Sequence, residues 1–310
     1  MRASAPRWVG RSILGGCLWA CSPSGGEHSG AGGASSGTAA AGELYGSFTT
    51  DLVAAEPPGI TALLGVVFDH PSPAAIPLEV ETELDGCQLL VAKHALCIPS
   101  CGAAGVCTAP DHCTPYPSPQ NVGTVRVQGL GASEIIMNPD ARYVYQPLEP
   151  LPFPPCSEGA AVTLHALGFE IEGRCIAPLA RVGPEAIQVV SGSEVPLTWE
   201  PPGDPGVARV QLKLDVSHHG GKKGEIDCDV PDTGSFTIPE PLITRLVGLG
   251  LAGYPAMTVS RVSTATAQTE RGVQLVMSSS VTRFVDTGVQ SCRDETECGA
   301  GMTCTNNACE

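Results

Sequence analysis

The chain has 310 residues, and 32 acidic against 17 basic residues give it a formal net charge of −15. A surface this acidic repels a phosphate backbone, which excludes nucleic acid as a partner. Charged residues make up only 16% of the chain, whereas glycines and prolines number 37 and 28. Such frequent helix-breaking residues favour short strands joined by many turns.

The first twenty residues have the features of a secretion signal. Arg2, Arg7 and Arg11 precede an apolar stretch over residues 12–20. That stretch suits the core of a signal peptide and is too short for a membrane-spanning helix, which needs about 20 apolar residues. We therefore expect a signal peptide over residues 1–20 and export of the chain.

The end of this segment, Leu18-Trp19-Ala20-Cys21, resembles a bacterial lipobox. The resemblance implies cleavage before Cys21 and attachment of lipid to its sulfur, although Trp19 is bulkier than the residue usual at that place. A rival lipobox ending at Cys17 leaves almost no apolar core after Arg11. The glycine-rich and serine-rich residues that follow lack apolar side chains, so residues 21–42 are predicted to be the lipidated cysteine and a disordered tether.

Cysteine parity favours Cys21 independently. The chain has 14 cysteines, and lipidation at Cys21 removes Cys17 with the signal, which leaves an even number to pair. Lipidation at Cys17 leaves an odd number, and an ordinary signal peptide with one free cysteine is the remaining alternative.

The remaining cysteines are predicted to form disulfides, because an exported chain meets an oxidising compartment. The candidates are Cys87, Cys97, Cys101, Cys107, Cys113, Cys156, Cys175, Cys228, Cys292, Cys298, Cys304 and Cys309. Because the first five lie close together and are odd in number, at least one must pair with Cys156, Cys175 or Cys228. The alternative is a zinc site that includes His94 and His112, but the cysteine spacings do not match the C-x2-C pairs of structural zinc sites.

Short alternating segments predict that residues 119–290 form a β body, preceded by an irregular β segment with a cysteine knot over residues 43–118. The clearest pattern runs through residues 210–216 and 225–230, where apolar and polar side chains alternate, and residues 217–224 supply the hairpin loop between them. Alternation of this kind predicts an antiparallel sheet with one buried and one solvated face. Further strands are expected at residues 125–128, 134–137, 143–145, 162–169, 195–199, 257–262 and 273–285.

One helix is predicted, at residues 238–249. Thr237 is in position to cap it, Glu240 suits its first turn, and Leu242, Ile243, Leu246 and Val247 share one face. Upstream, Trp199 is expected to belong to the core of the β body. The fold class predicted is therefore a mainly β, antiparallel sandwich of the Ig-like or jelly-roll-like type.

Two polar clusters invite a functional interpretation. His218 and His219 could bind a transition metal, but neighbouring histidines in extended chain point apart and a solvated loop explains them as well. The acidic run from Glu225 to Asp232 resembles a calcium loop without the terminal bidentate glutamate, and alternation along a strand explains it. Since the sequence contains none of the common catalytic motifs, we expect no cofactor and favour a non-catalytic protein.

Four cysteines over residues 292–309, spaced by five, five and four residues, resemble the start of a Dickkopf N-terminal cysteine-rich module. The resemblance implies a small disulfide-stapled module over residues 291–310, without the signalling function of that family. The lipobox, tether, C-I-P-S-C-G knot, Trp199 segment and tail together resemble cysteine-rich lipoproteins of the myxobacterial type. That resemblance implies location and architecture and no particular activity.

These inferences lead to one leading hypothesis and one rival. The leading hypothesis is a lipid-anchored protein of the cell envelope, at the outer membrane, that acts as a non-catalytic binding or structural module. Its partners would be the membrane, through the lipid, and an extracellular polysaccharide or protein. The rival is a secreted hydrolase or metal-binding protein that uses His218 and His219.

Overall fold

The architecture was obtained as a computed structural model, which describes residues 44–54, 58–217, 221–250, 254–267, 269, 272–288, 292, 294–299, 301–305 and 308–309. Its strands are, in chain order, β1 (Leu44–Val53), β2 (Ile60–Val67), β3 (Leu78–Leu84), β4 (Cys87–Ala92), β5 (Gly105–Ala109), β6 (His112–Pro115), β7 (Val125–Gln128), β8 (Ile135–Met137), β9 (Ala161–Ala166), β10 (Phe169–Arg174), β11 (Val182–Gly183), β12 (Ile187–Gln188), β13 (Val195–Trp199), β14 (Arg209–Asp215), β15 (Gly224–Pro231), β16 (Ser235–Ile238), β17 (Ala256–Thr266), β18 (Gly272–Asp286), β19 (Cys304–Thr305) and β20 (Ala308–Cys309). Within these described residues there is one α-helix, α1 (Glu240–Gly248), and 3-10 turns occupy Gly102–Ala104 and Glu295–Glu297.

The largest sheet has nine strands. Eight of them follow the order β2-β1-β18-β17-β14-β15-β4-β3, and β12 pairs with β18 as the ninth. β14 and β15 form the antiparallel hairpin that the alternation predicts, with Lys213 directly opposite Asp227. Val210, Leu212 and Leu214 are buried, because alternate side chains of a strand face the same side of the sheet.

Two hydrophobic cores lie against the inner side of this sheet. One includes Leu275 and Met277 from the first half of β18 and packs against the four-stranded sheet β10-β9-β7-β8. The other includes Val285 from the end of β18 and packs against the three-stranded sheet β11-β13-β16 and α1. Trp199 belongs to the second core and is 6% exposed, as predicted. β18 is therefore long enough to contribute to both sandwiches.

The prediction of a mainly β fold with packed sheets is confirmed, and two strand pairs depart from the antiparallel pattern. β1 and β12 each run parallel to β18. Because β1 to β4 share one sheet with β14, β15, β17 and β18, the predicted boundary between residues 43–118 and 119–290 does not separate the sheets. The early segment instead supplies half of the strands on the large sheet's main path.

The twelve candidate cysteines form six disulfides. The pairs are Cys87–Cys228, Cys97–Cys107, Cys101–Cys113, Cys156–Cys175, Cys292–Cys304 and Cys298–Cys309. One cysteine of the knot thus pairs outside it, as the odd count requires, and it does so with Cys228. Six disulfides indicate an extracytoplasmic compartment, where such bonds persist.

Small stapled units lie at two places in the chain. The β5–β6 hairpin carries two of the disulfides, and the short β19–β20 hairpin at the end of the chain carries two more. Each hairpin is too short to be held by apolar burial alone, so the bridges supply its stability.

The helix is shorter than predicted, and its cap differs. Thr237 lies in β16, paired with Pro196, and Pro239 occupies the N-cap position without a side-chain cap. Leu242, Ile243 and Leu246 are buried as the pattern predicts. The helix begins later because the residues before it complete a strand.

The strand predicted at residues 143–145 is absent from the described structure. Tyr143 has a φ of 58°, which breaks an extended run, and Tyr145 forms a single bridge to Gly65. The Tyr145 ring is buried, and its hydroxyl accepts a hydrogen bond from the backbone N–H of Val122 at 2.8 Å. The apolar pattern here therefore reflects one anchored tyrosine instead of a strand.

Several predictions fall outside the described residues. These are the signal peptide at 1–20, the lipidation site Cys21 and its rival Cys17, the tether at 21–42, and His218 with His219. In the part of the chain that is described, no helix has the length and apolar character needed to span a membrane.

Candidate binding face

Over β18, β17, β14, β15 and β4, the side of the nine-stranded sheet that points away from both cores is mostly polar. We call it the outer face, and it comprises Gln88, Gln211, Lys213, Asp215, Glu225, Asp227, Asp229, Thr258, Ser260, Ser278, Ser280, Thr282 and Phe284. β18, β17, β14 and β15 lie side by side in it, a width of roughly 15 Å at the usual spacing between strands. These side chains form rows because residues in register stand next to each other across a sheet.

The β17–β18 half of the outer face carries paired hydroxyl groups. The hydroxyls of Thr258 and Thr282 lie 2.9 Å apart and hydrogen-bond each other. Ser260 and Ser280 form a second pair at 2.8 Å. Because each hydroxyl can both donate and accept, the rows retain hydrogen-bonding capacity towards solvent or a ligand.

The β14–β15 half carries charged groups around Lys222. Its ammonium contacts Asp215 at 3.1 Å and also pairs with Glu225. Lys213 pairs with the same Glu225 carboxylate at 2.8 Å. The Glu225 side chain is only 3% exposed, so the expected solvated side of β15 is buried at this point. The side chains of Lys213 and Lys222 cover the Glu225 carboxylate.

The segments flanking the hairpin loop are fixed by further hydrogen bonds. The Ser217 hydroxyl donates to Asp215 at 2.9 Å and accepts from the backbone N–H of Lys223 at 3.1 Å. His94, beyond β4, contacts the Lys222 carbonyl at 3.0 Å. These bonds hold Lys222 over the two carboxylates.

Burial and charge shift two carboxyl groups in opposite directions. Burial raises the pKa of Asp227 to about 6, and the neighbouring Glu225 charge adds to the increase. Burial acts in the same sense on Asp215, but the Lys222 charge and the Ser217 hydrogen bonds outweigh it and lower its pKa below the ordinary value. One oxygen of Asp227, Oδ1, is buried and has no hydrogen-bond partner among the described residues.

An aromatic pair stands at one end of the hydroxyl rows. Phe284 and Tyr254 are 73% and 65% exposed, and their ring centroids lie 6.4 Å apart. Phe284 is opposite Ala256 at the start of β17, and Tyr254 lies two residues earlier in the chain. Phe284 therefore belongs to the outer face, and Tyr254 lies next to it.

Comparisons with known proteins identify no family for this chain. No family model matches it, and no curated protein matches it. Among solved structures, the FN1–FN3 domains of chicken CNTN1 are similar over 75% of this chain and 70% of that chain, with 10% identity and a TM-score of 0.18.

The candidate metal sites are two cysteine groups and the pair His218 and His219. The Cys97, Cys101 and Cys113 group and the Cys292, Cys298 and Cys309 group lie close enough for metal binding, but all six sulfurs are in disulfides. Disulfide sulfurs do not suit a zinc site, because zinc binds cysteine as the thiolate. The metal site at His218 and His219 stays a prediction, because both lie outside the described residues.

The acidic run of β15 does not form a calcium loop. Asp229 pairs with Arg209, and Asp232 pairs with Arg261 in the interior. Glu225 contacts two lysines. The strand separates these carboxylates and gives three of them a basic partner, so they do not converge on one cation.

Two shallow grooves lie elsewhere on the surface. One, of about 510 Å³, runs beside α1 between Glu240 and Leu249, and the other, of about 310 Å³, lies between Pro184 and Pro196. Neither contains a cluster of catalytic groups, so the outer face is the stronger candidate for function.

The alternation along the sequence predicted the polar side of β14 and β15, whereas no local pattern predicted the hydroxyl rows or the aromatic pair. Tyr254 and Phe284 are thirty residues apart in the chain and meet only because β17 and β18 pair in one register. The available signal was the Ser-rich run at residues 278–280, which lies in a predicted strand.

Proposed function

We propose that this chain is a lipid-anchored, non-catalytic binding module of the cell envelope, and that its outer face binds an extended polysaccharide. The paired hydroxyls of β17 and β18 are the observation that carries the proposal. They form an uncharged, hydrogen-bonding surface on a chain whose net charge is −15. A polysaccharide presents hydroxyl groups along its length that can exchange hydrogen bonds with such rows.

The disulfides support a role outside the cytoplasm. A chain with six bridges keeps its fold in an oxidising and exposed compartment, where crosslinks restrict unfolding. The predicted lipid at Cys21 and the tether at 21–42 would hold the β body near the membrane and leave the outer face accessible. A tether of this length reaches about 25 Å as a flexible coil.

Anchoring is tested by the intact mass of the protein isolated from its native membranes. The proposal predicts a lipid adduct on Cys21, and no free thiol until a reductant is added. An unmodified N-terminal segment, or a lipid on Cys17, would contradict the anchoring part of the proposal and leave the binding part to be judged separately.

Binding is tested with the double substitution Thr258→Val and Thr282→Val. Valine has nearly the same shape as threonine and suits a strand, so only the two hydroxyls are lost. The variant should lose binding to polysaccharide extracted from the cell envelope, measured by co-sedimentation.

A matched control comes from the knot. Thr108 and Thr114 form the same kind of hydroxyl pair, at 2.7 Å, between β5 and β6. Thr108→Val with Thr114→Val should bind as well as the parent chain. If Thr258→Val with Thr282→Val also binds as well as the parent chain, the outer-face hydroxyls have no role in binding.

A further inference from the structure

Tyr254 and Phe284 together form an exposed aromatic surface. Both rings are largely open to solvent, and they meet edge to face with an interplanar angle of 67°. Rings of this size are usually buried, because covering their apolar area is strongly favourable. Two neighbouring rings left uncovered are typical of an interaction site.

The rings adjoin the hydroxyl rows without a bulky side chain between them. Phe284 is in register with Ala256, and the next outer-face positions are Thr282 and Thr258. Two residues along a strand span about 7 Å, so the rings and the first hydroxyl pair are within reach of one ligand unit.

Charge determines which kind of ligand suits this end of the face. From Tyr254 to Ser260 and from Ser278 to Phe284, the side chains on the outer face carry no charge, since Arg283 is in register with the buried Met257 on the other side of the sheet. The nearest charged groups in these rows are Lys213 and Asp215 on β14. The chain as a whole is strongly acidic at −15. An anionic polymer is therefore repelled, and a cationic one would prefer the acidic parts of the surface. An uncharged polymer fits best.

An uncharged polysaccharide combines the two chemistries that meet here. The hydroxyls of a pyranose ring can hydrogen-bond with serine and threonine, and the C–H groups on its ring faces can stack on an aromatic ring. We infer that Tyr254 and Phe284 form a stacking subsite for a neutral pyranose unit of a polysaccharide bound along the outer face. This inference rests on the proposed function and adds the ligand class and the residues that hold one of its units.

The test is electrophoresis of the full chain in native gels that contain a polymer. Soluble β-glucan, soluble α-glucan and galactomannan serve as uncharged probes, polygalacturonate as the anionic probe and gelatin as the polypeptide probe. At least one uncharged polysaccharide should slow the parent chain. Tyr254→Ala with Phe284→Ala should raise the dissociation constant at least about tenfold, a change that is well resolved by this method.

Two controls separate stacking from general effects. Tyr116→Ala removes another exposed tyrosine, which is 51% exposed and directly follows β6 of the separate two-stranded sheet. Its dissociation constant should be within about twofold of that of the parent. Phe284→Leu keeps an apolar side chain without a ring and should bind more weakly than the parent. Circular dichroism is used to check that each variant is folded.

The outcomes distinguish the subsite from the function. If the aromatic double variant binds like the parent while Thr258→Val with Thr282→Val does not, the subsite is wrong and the polysaccharide function stands. If no polysaccharide slows the parent, both are overturned. Retardation by polygalacturonate alone or by gelatin alone overturns the ligand class inferred here.

Discussion

Asp232 and Arg261 form an ion pair in the interior, with side chains that are 0% and 3% exposed. Trp199 donates its indole N–H to Asp232 at 2.7 Å, and Arg261 also donates to the Glu200 carbonyl at 2.6 Å. The pair therefore joins β17 to the ends of β13 and β15, beneath the outer face.

Removing one partner of this pair should be costly. Arg261→Met leaves the Asp232 carboxylate buried without its cation, and such a change lowers the free energy of unfolding by about 3–5 kcal/mol. Urea denaturation followed by tryptophan fluorescence measures the loss. Arg209→Met is the control, because Arg209 pairs with Asp229 at the surface and should cost less than about 1 kcal/mol. Similar losses for both variants would contradict the structural role assigned to Arg261.

The raised pKa of Asp227 predicts a pH dependence of stability. Its pKa is about 6 in the folded chain against an ordinary value of 3.8, so the folded state holds the proton more tightly. Stability should therefore fall as the pH rises from 4 to beyond 6, by up to roughly 3 kcal/mol. Asp227→Asn should remove this decline and be more stable than the parent at pH 8. Unfolding free energies from pH 4 to pH 8 provide the measurement.

Two neighbouring aspartates serve as controls for that prediction. Asp229→Asn changes an exposed carboxylate on the same strand and should leave the decline in place. Asp215→Asn should instead destabilise the fold across the whole range from pH 4 to pH 8, because the lowered pKa of Asp215 stabilises the fold above pH 3.8 and that contribution disappears only in stronger acid. A parent chain whose stability does not change between pH 4 and 8 would contradict the environment described for Asp227.

The disulfide between Cys87 and Cys228 should stabilise the fold more than the small bridges do. It joins β4 to β15 across 141 residues, whereas Cys97–Cys107 spans 10. By the chain-entropy relation these loops correspond to about 5 and about 3 kcal/mol. Replacing both cysteines of each pair by alanine and comparing denaturation midpoints without reductant tests this order. A larger loss from the Cys97–Cys107 replacement would reverse it.

Sequence patterns predicted the parts of the fold that depend on neighbouring residues. The alternation of Val210, Leu212 and Leu214 predicted β14, because period-two burial requires only one covered face. Cysteine parity predicted that the knot has a remote partner, and Cys228, on the buried face of its strand, is that partner. Both inferences follow from local spacing or counting.

Long-range relationships were not accessible in the same way. The parallel pairing of β1 with β18 joins residues more than two hundred positions apart, and no local pattern selects that neighbour. Glu225 is buried although strand alternation alone predicts a solvated side chain there, because Lys213 of the paired strand and Lys222, three residues before it, both pair with its carboxylate. The aromatic pair likewise arises from strand register. The candidate site was therefore visible only in three dimensions, although its hydrogen-bonding residues were in predicted strands.

Hydrogen–deuterium exchange, with and without envelope polysaccharide, measures directly whether the outer face is the surface that binds. We expect slower exchange in β17 and in the second half of β18 when polysaccharide is present, and unchanged exchange in β9 and β10, which belong to a different sheet. Unchanged exchange throughout, or protection confined to β9 and β10, would contradict binding at the outer face.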